Sequence, residues 1–260
     1  MSREAGLRAG HLACERPCRR TLRALAGATG RPGACRMAMK RIFVDLEMNP
    51  VPREHRAGLT ELRHEVIEIG AVTLDEANAE AACFKRFVRP QFSETLAENI
   101  VRLTGITDED VKNAGDFGEV LAEFAEWCLE TGGADFEIYA WSDNDLKQLK
   151  REVRRKQVEL TEACETMFAN WRDFQRVYSD MFYLSQVMSL TKALELSGLD
   201  FEGRAHDGLT DARNTADLYR QTQDSEQFAR LKALIDEMQR PHTTALGDLV
   251  DLSGWDLPSE

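Results

Sequence analysis

The chain has 260 residues, of which 43% are apolar and 30% are charged, an ordinary balance for a soluble globular protein. No apolar run approaches the eighteen residues that a transmembrane helix needs, so we predict no contact with a membrane. The eight arginines and two glutamates of residues 1–39 contribute +6 to the net charge of −12, which leaves −18 on the remaining chain. Because residues 40–260 are this acidic, we expect them to contact nucleic-acid phosphates only through a local basic patch or through bound cations.

Residues 1–39 are predicted to form a disordered basic leader, because they are rich in arginine and show no periodic apolar face. A targeting segment and a basic substrate-binding arm remain alternatives for this stretch. Cys83, Cys128 and Cys164 lie singly in the body without C-x-x-C spacing, which predicts reduced thiols and a cytoplasmic location.

Three strands are predicted directly after the leader. Residues 40–47 form a β-branched and aromatic run, and the runs at 66–74 and 83–88 have the same character. The connection at 75–81 has the length of a hairpin, so these strands are expected to form an antiparallel meander.

Helices then alternate with short strands, a pattern that predicts an α/β fold with a mixed sheet of about five strands flanked by helices. Glycines at 105, 132–133 and 198 mark predicted helix ends. The predicted strands of this half are 137–141 and a short one near 173–174. The first predicted helical segment begins with 93–100 and ends at Gly105, and the other predicted helices are 117–129, 143–156, 190–196, 209–221 and 225–240.

Two carboxylates stand two residues apart near the end of the first predicted strand. Asp45 and Glu47 therefore point to the same face as Phe43, while apolar residues occupy the other face. Two ionised carboxylates at a buried strand end repel each other and are costly to desolvate. A divalent cation would remove both costs, and the alternative is a strand end that projects two acids into water.

A histidine stands five residues before an aspartate at the start of a predicted helix. His206 can accept a proton from water near neutral pH, and Asp211 can bind a cation that polarises the water. The alternative is a surface-loop histidine without a function. Asp207, next to the histidine, is expected to face solvent or to cap the helix.

A third acidic segment lies where the strand at 137–141 ends and the next helix begins. Asp143 and Asp145 both compete there for the role of metal ligand, and capping of the helix is the alternative for either.

Together these motifs resemble the DEDDh 3′→5′ exonuclease family, and most closely its sporulation-inhibitor-like and histone-mRNA-processing branch. The resemblance covers about residues 40–222. It favours Asp145 over Asp143 by its distance from Trp141, although Ser142 stands where the family commonly has glycine. The accompanying stretches that match are 65–72, 103–107, 193–199 and 211–215.

The resemblance implies a ribonuclease H-like sheet and a site that binds two Mg²⁺ or Mn²⁺ ions. Asp45 would bridge the ions, Glu47 and Asp211 would complete the coordination of the first ion, and Asp145 would serve the second ion. His206 would deprotonate the attacking water, and the product would be a nucleoside 5′-monophosphate. Hard oxygen ligands suit these cations, which is consistent with the four acids.

Implied substrates are the 3′ ends of single-stranded RNA or DNA, with RNA favoured. The side chain of Met48 is expected to wedge against the terminal base, and Lys147 and Arg151 are expected to contact the strand. Further contacts could come from other basic residues of the same helix, namely Lys150, Arg154, Arg155 and Lys156. For all six residues the alternative is a solvated helix face.

The predicted domain organisation is a leader at 1–39, an exonuclease domain at 40–222, and a C-terminal helix with an acidic tail at 223–260. Two other functions are weighed against the exonuclease. One is a nucleic-acid-binding or scaffold domain of the same fold with an inactive site. The other is an HD-type phosphohydrolase built around His206 and Asp207, which would require an all-helical fold.

Overall fold

A computed structural model describes residues 39–56, 62–133 and 135–240, and one five-stranded sheet forms its centre. The strand order across the sheet is third, second, first, fourth, fifth. In chain order the strands are β1 (Lys40–Pro50), β2 (His64–Leu74), β3 (Glu80–Phe87), β4 (Phe136–Ala140) and β5 (Trp171–Asp173).

The sheet is mixed, as predicted. β2 pairs antiparallel with both β1 and β3, whereas β4 runs parallel to β1 and to β5. Because β1 and β4 are parallel, their carboxyl ends lie at the same edge, where sites of α/β proteins commonly form. The register between β1 and β2 is irregular between Glu47 and Met48, directly after the acidic motif.

Nine α-helices are present in the part of the chain that the structure describes. They are α1 (Glu98–Thr104), α2 (Asp108–Lys112), α3 (Phe117–Gly132), α4 (Asn144–Lys156), α5 (Glu162–Ala169), α6 (Phe174–Met181), α7 (Leu190–Ser197), α8 (Gly208–Gln223) and α9 (Ser225–Gln239). The predicted glycine stops are confirmed at Gly105 and Gly198, which close α1 and α7 with a left-handed backbone.

Side-chain alternation along β1 separates two hydrophobic cores, one on each face of the sheet. Ile42, Val44 and Leu46 point to the face that α3 and α5 cover. Phe43 points to the opposite face, where its ring lies 5.2 Å from that of Tyr219 on α8. The prediction that the face shared by Phe43 and the two acids is buried is therefore confirmed for the aromatic position.

The last helix is part of the second core. Leu231 and Ile235 of α9 are buried together with Phe43 and the aromatic residues of α6. The predicted leader at 1–39 lies outside the described residues except for its last position, as does the predicted tail after residue 240. Within the described ranges, no helix is both long and apolar enough to cross a membrane.

The sheet contradicts one of the alternatives. An HD-type phosphohydrolase would need an all-helical fold, but His206 and Asp207 adjoin a helix that packs on a five-stranded sheet.

Candidate active site

The carboxyl-terminal half of β1 supplies the first two acids. Asp45 lies opposite Gly70 of β2, and Glu47 lies opposite Glu68 in the same ladder. The Glu47 side chain is 7% exposed, although a glutamate seldom lies so deep without a partner. The strand therefore holds two carboxylates on one face, and the carboxylate of Glu47 has little access to bulk water.

The third acid comes from the first turn of α4. Asp145 is buried, and its charge raises the pKa of Asp45 on β1, while the backbone of Leu46 lowers the pKa of Asp145 itself. Asp143 is instead half exposed and forms an ion pair with Lys147 at 2.6 Å on the helix surface. The structure therefore brings Asp145 to the two acids of β1, and it leaves Asp143 outside the cluster.

The start of α8 completes the cluster. Ligand atoms of Glu47, His206 and Asp211 all lie within 4.8 Å of one another. The backbone N–H of His206 donates to Asp211 Oδ2 at 3.1 Å, which fixes the histidine relative to the acid. His206 is exposed and has a φ of 63°, so its imidazole faces solvent from a left-handed backbone position.

Burial raises the pKa of every acid in this cluster, and the charges of the other cluster acids raise the pKa of Asp45 and Glu47 further. Desolvation, followed by the charge of Asp211, raises the pKa of Glu47 to about 8. Desolvation also raises the pKa of Asp211, to about 6. For Asp45, burial and the charge of Asp145 raise the pKa well above its ordinary value, and burial does the same for Asp145. The cluster is therefore under electrostatic strain when all its acids are ionised.

This donor set fits a divalent cation. Asp211 Oδ1 is buried and has no hydrogen-bond partner among the described residues, so one acceptor in the cluster lacks a donor. Carboxylate oxygens are the ligands that Mg²⁺ and Mn²⁺ prefer. A cation here would satisfy the unpaired oxygen and offset the repulsion among the acids.

Two contacts tie the histidine loop to the rest of the fold. The guanidinium of Arg204 donates to the carbonyl oxygens of Arg102 and Leu103 at the end of α1. At the other end of the loop, Asp207 accepts from the backbone N–H of Thr210 and so caps α8. The expectation that Asp207 caps the helix is confirmed, and its partner Lys85 was not predicted.

Of the basic residues on α4, one is not on a solvated face. The Lys156 ammonium is 5% exposed and contacts Glu65 at 3.1 Å and Glu152 at 2.6 Å. The prediction of a substrate contact or a solvated position is wrong for Lys156, because the ion pairs join α4 to β2 instead. Lys147 is exposed and Arg151 is half-buried, so both reach the surface.

Met48 lies next to the acidic motif. Its side chain is half-buried and packs against the core beside α3, at the irregularity that follows Glu47. The side chain thus belongs to the core on the face opposite Phe43, and its contact with a terminal base stays a prediction.

Comparison with known proteins agrees with this geometry. A family model described as an exonuclease, RNase_T, matches residues 42–219, which is more than half of the chain. The nuclease domain of 3'hExo bound to rAMP, a DEDDh family member, superimposes with a TM-score of 0.61 and is 26% identical, over 73% of this chain and 94% of that one. The chain belongs to the DEDDh exonuclease family, as its motifs predicted.

Curated relatives carry related names. ERI1 exoribonuclease 2 of Danio rerio is 31% identical over 214 residues, covering 75% of this chain and 37% of the relative. The 3'-5' exoribonuclease 1 of Rattus norvegicus is 31% identical over 160 residues, covering 60% of this chain and 46% of the relative. This chain thus spans less than half the length of these two relatives.

Proposed function

We propose that this chain is a metal-dependent 3′→5′ exonuclease that hydrolyses single-stranded nucleic acid, RNA in preference to DNA, to nucleoside 5′-monophosphates. The observation that carries the proposal is the cluster of four acids and one exposed histidine at the carboxyl edge of the sheet. Membership of the DEDDh family supports it independently.

Two Mg²⁺ or Mn²⁺ ions would be held by the acids of the cluster. Asp45, Glu47 and Asp211 would hold one ion, and Asp145 together with Asp45 would hold the other. Bound divalent cations polarise water and stabilise the charge that develops on phosphodiester oxygens. The chain's own contribution is a rigid frame, because the ligands come from a central strand and two helix starts.

His206 would act as the general base. Its imidazole is exposed beside the acids, so a water molecule bound at a terminal phosphate is within its reach. The base would take one proton from that water as its oxygen attacks phosphorus. The bond to the 3′ oxygen of the preceding nucleotide would break, leaving the phosphate on the released 5′-monophosphate.

The preference for RNA rests on the relatives, which are named exoribonucleases. Met48 would contact the terminal base, while Lys147 and Arg151 would contact the phosphates of the strand. Such contacts depend on base stacking and on the charge of the phosphates, and not on hydrogen bonds to base edges, so we propose low sequence specificity. A cytoplasmic location is proposed because Cys128 and Cys164 are buried thiols that form no disulfide with a described residue.

The decisive experiment uses 5′-labelled single-stranded RNA and DNA of one sequence, with Mg²⁺ or with EDTA. The proposal expects a ladder that shortens from the 3′ end, release of 5′-monophosphates, faster loss of RNA, and no reaction in EDTA. A circular strand should stay intact. Tight binding of both strands without any cleavage would instead establish an inactive binding domain.

A further inference from the structure

An ammonium group stands between two carboxylates at the point where α8 reaches the sheet. Lys85 of β3 forms an ion pair with Glu68 of β2 at 3.3 Å and a second, shorter one with Asp207. None of these three residues is a proposed metal ligand, and none of them is the proposed base. Their role is therefore separate from that of the acids described above.

The three residues belong to the same region of the sheet as the acids. In the β-ladders Asp45 faces Gly70, and Gly70 faces Lys85, so the lysine lies two strands away in the same row. Directly paired residues of antiparallel strands share a face. Lys85 and Asp45 therefore point to the same side of the sheet, on which α8 begins.

Both carboxylates that contact Lys85 bind the first turn of α8. Glu68 Oε1 accepts from the backbone N–H of Gly208 at 2.8 Å, and Asp207 Oδ1 accepts from Thr210 at 3.0 Å. Helix N–H groups in the first turn have no partner within the helix, so these bonds fix the direction in which the helix starts. Asp211 follows in the same turn.

Glu68 is only 1% exposed, and a carboxylate at that depth needs a charge partner to remain ionised. Burial raises its pKa, while the nearby Lys85 ammonium acts against that shift. The lysine thus supplies the charge partner of the carboxylate that accepts the hydrogen bond from Gly208.

We propose that Lys85 is a positioning residue: through Glu68 and Asp207 it holds the first turn of α8, and so places both Asp211 and the His206 loop against β1. The inference rests on the proposed exonuclease function for its kinetic effect. Its effect on metal binding needs no catalysis.

A kinetic experiment compares variants at this site with a matched ion pair elsewhere. Lys85→Met keeps the length of the side chain and removes the charge, so kcat should fall about 10–100-fold while KM stays within about threefold. Lys85→Arg should recover most of the activity. Glu80→Gln removes another β3–α8 ion pair, the one with Arg213, and should leave kcat unchanged.

A second variant, Asp207→Asn, removes the same ion pair from its other side. Asparagine caps a helix as well as aspartate does, but it cannot form an ion pair with Lys85. The variant should therefore lower kcat as Lys85→Met does, and the double variant should be no worse than either. If Lys85→Met does not fold, this variant still carries the test.

Calorimetric titration of Mn²⁺ separates positioning from charge. If Lys85 only adds local positive charge, Lys85→Met should bind Mn²⁺ more tightly, because a repulsive charge is gone. If Lys85 places Asp211, affinity should fall about 10-fold or more. Tighter Mn²⁺ binding or an unchanged kcat in Lys85→Met would overturn the inference. A wild-type protein that cleaves neither RNA nor DNA would refute the proposed function, and the titration would still decide the role of Lys85.

Discussion

Gly70 lies directly against Gly208, where α8 meets the sheet. A Cβ atom built on Gly70 would stand 2.1 Å from the carbonyl carbon of Gly208 and from the nitrogen of Leu209. Nothing but a hydrogen atom fits between the two backbones. The helix that carries Asp211 is thus seated on the main chain of β2, opposite Asp45.

Gly70→Ala should therefore destabilise the protein and abolish activity. The added methyl group meets backbone atoms, which cannot rotate away as a flexible side chain would, so α8 must move. We expect a loss of about 3 kcal/mol or more in the free energy of unfolding, measured by urea titration.

Gly118→Ala on α3 is the matched control. A Cβ there would meet its nearest neighbours at 3.4 Å or more, which is ordinary van der Waals contact, and alanine is the better helix former. It should stabilise the protein by up to about 1 kcal/mol. Equal stability for Gly70→Ala and the wild type would show that α8 is not seated as described.

The thermal stability of the metal-free protein should fall as pH rises. Glu47 and Asp211 have native pKa values raised to about 8 and about 6, above those of the unfolded chain. The native state thus binds more protons than the unfolded state between about pH 4 and 8, and this contribution to stability is lost as pH rises through that window. In EDTA, Tm at pH 8 should lie about 5 °C or more below Tm at pH 5.5.

Saturating Mg²⁺ should remove most of that slope, because the cation offsets the repulsion that protonation otherwise relieves. Asp45→Asn should flatten the slope without metal and lower activity by several orders of magnitude. Asp143→Asn, outside the cluster, should change neither. A Tm that is independent of pH in EDTA, or an Asp45→Asn protein with wild-type turnover, would contradict the assignment of the acids.

The role of His206 is best tested by His206→Asn. Asparagine accepts the left-handed backbone of this position more readily than alanine, so the loop should keep its shape. Loss of the base should lower kcat by roughly 10²–10⁴. Mn²⁺ affinity should stay nearly intact. A large loss of Mn²⁺ affinity, measured calorimetrically, would make His206 a metal ligand, which its distance to Glu47 and Asp211 also permits.

A chain that begins at Met39 should fold and turn over substrate like the full chain. β1 starts at Lys40, whose ammonium donates to the carbonyl oxygen of Thr131, so the strand has its own anchor at this end. The comparison is of Tm and KM between the two chains. A much higher KM for the shorter chain would favour the substrate-binding arm over the dispensable leader.

Local patterns predicted the acids because their positions follow from strand phase and helix starts. The two-residue spacing of Asp45 and Glu47 placed them on one face, and the strand-to-helix boundary placed Asp143 and Asp145 at the same edge. Only the family resemblance chose Asp145 between these two. The strands and long helices were predicted to within a few residues. The short helices α2, α5 and α6 were missed, although Thr161 and Asp173 at the starts of α5 and α6 are typical capping residues.

Buried ion pairs could not be predicted in the same way. Lys156 looked like one more cation of an exposed helix, and only the packing of α4 on β2 encloses it with Glu65 and Glu152. The pairing of Lys85 with Asp207 joins residues 122 apart in the chain. Such contacts depend on how distant elements dock, which a single sequence does not encode in any local period.

The packing of α8 on the sheet also limits the order in which the elements of this protein can fold. The meander of β1, β2 and β3 is contiguous in the chain and can form early, since its contacts are short in sequence. The apolar face of this meander, with Phe43, Val72 and Leu74, stays uncovered until α6 and α8 have been synthesised. A nascent chain that ends before α8 lacks Asp211 and exposes this apolar face, which favours self-association.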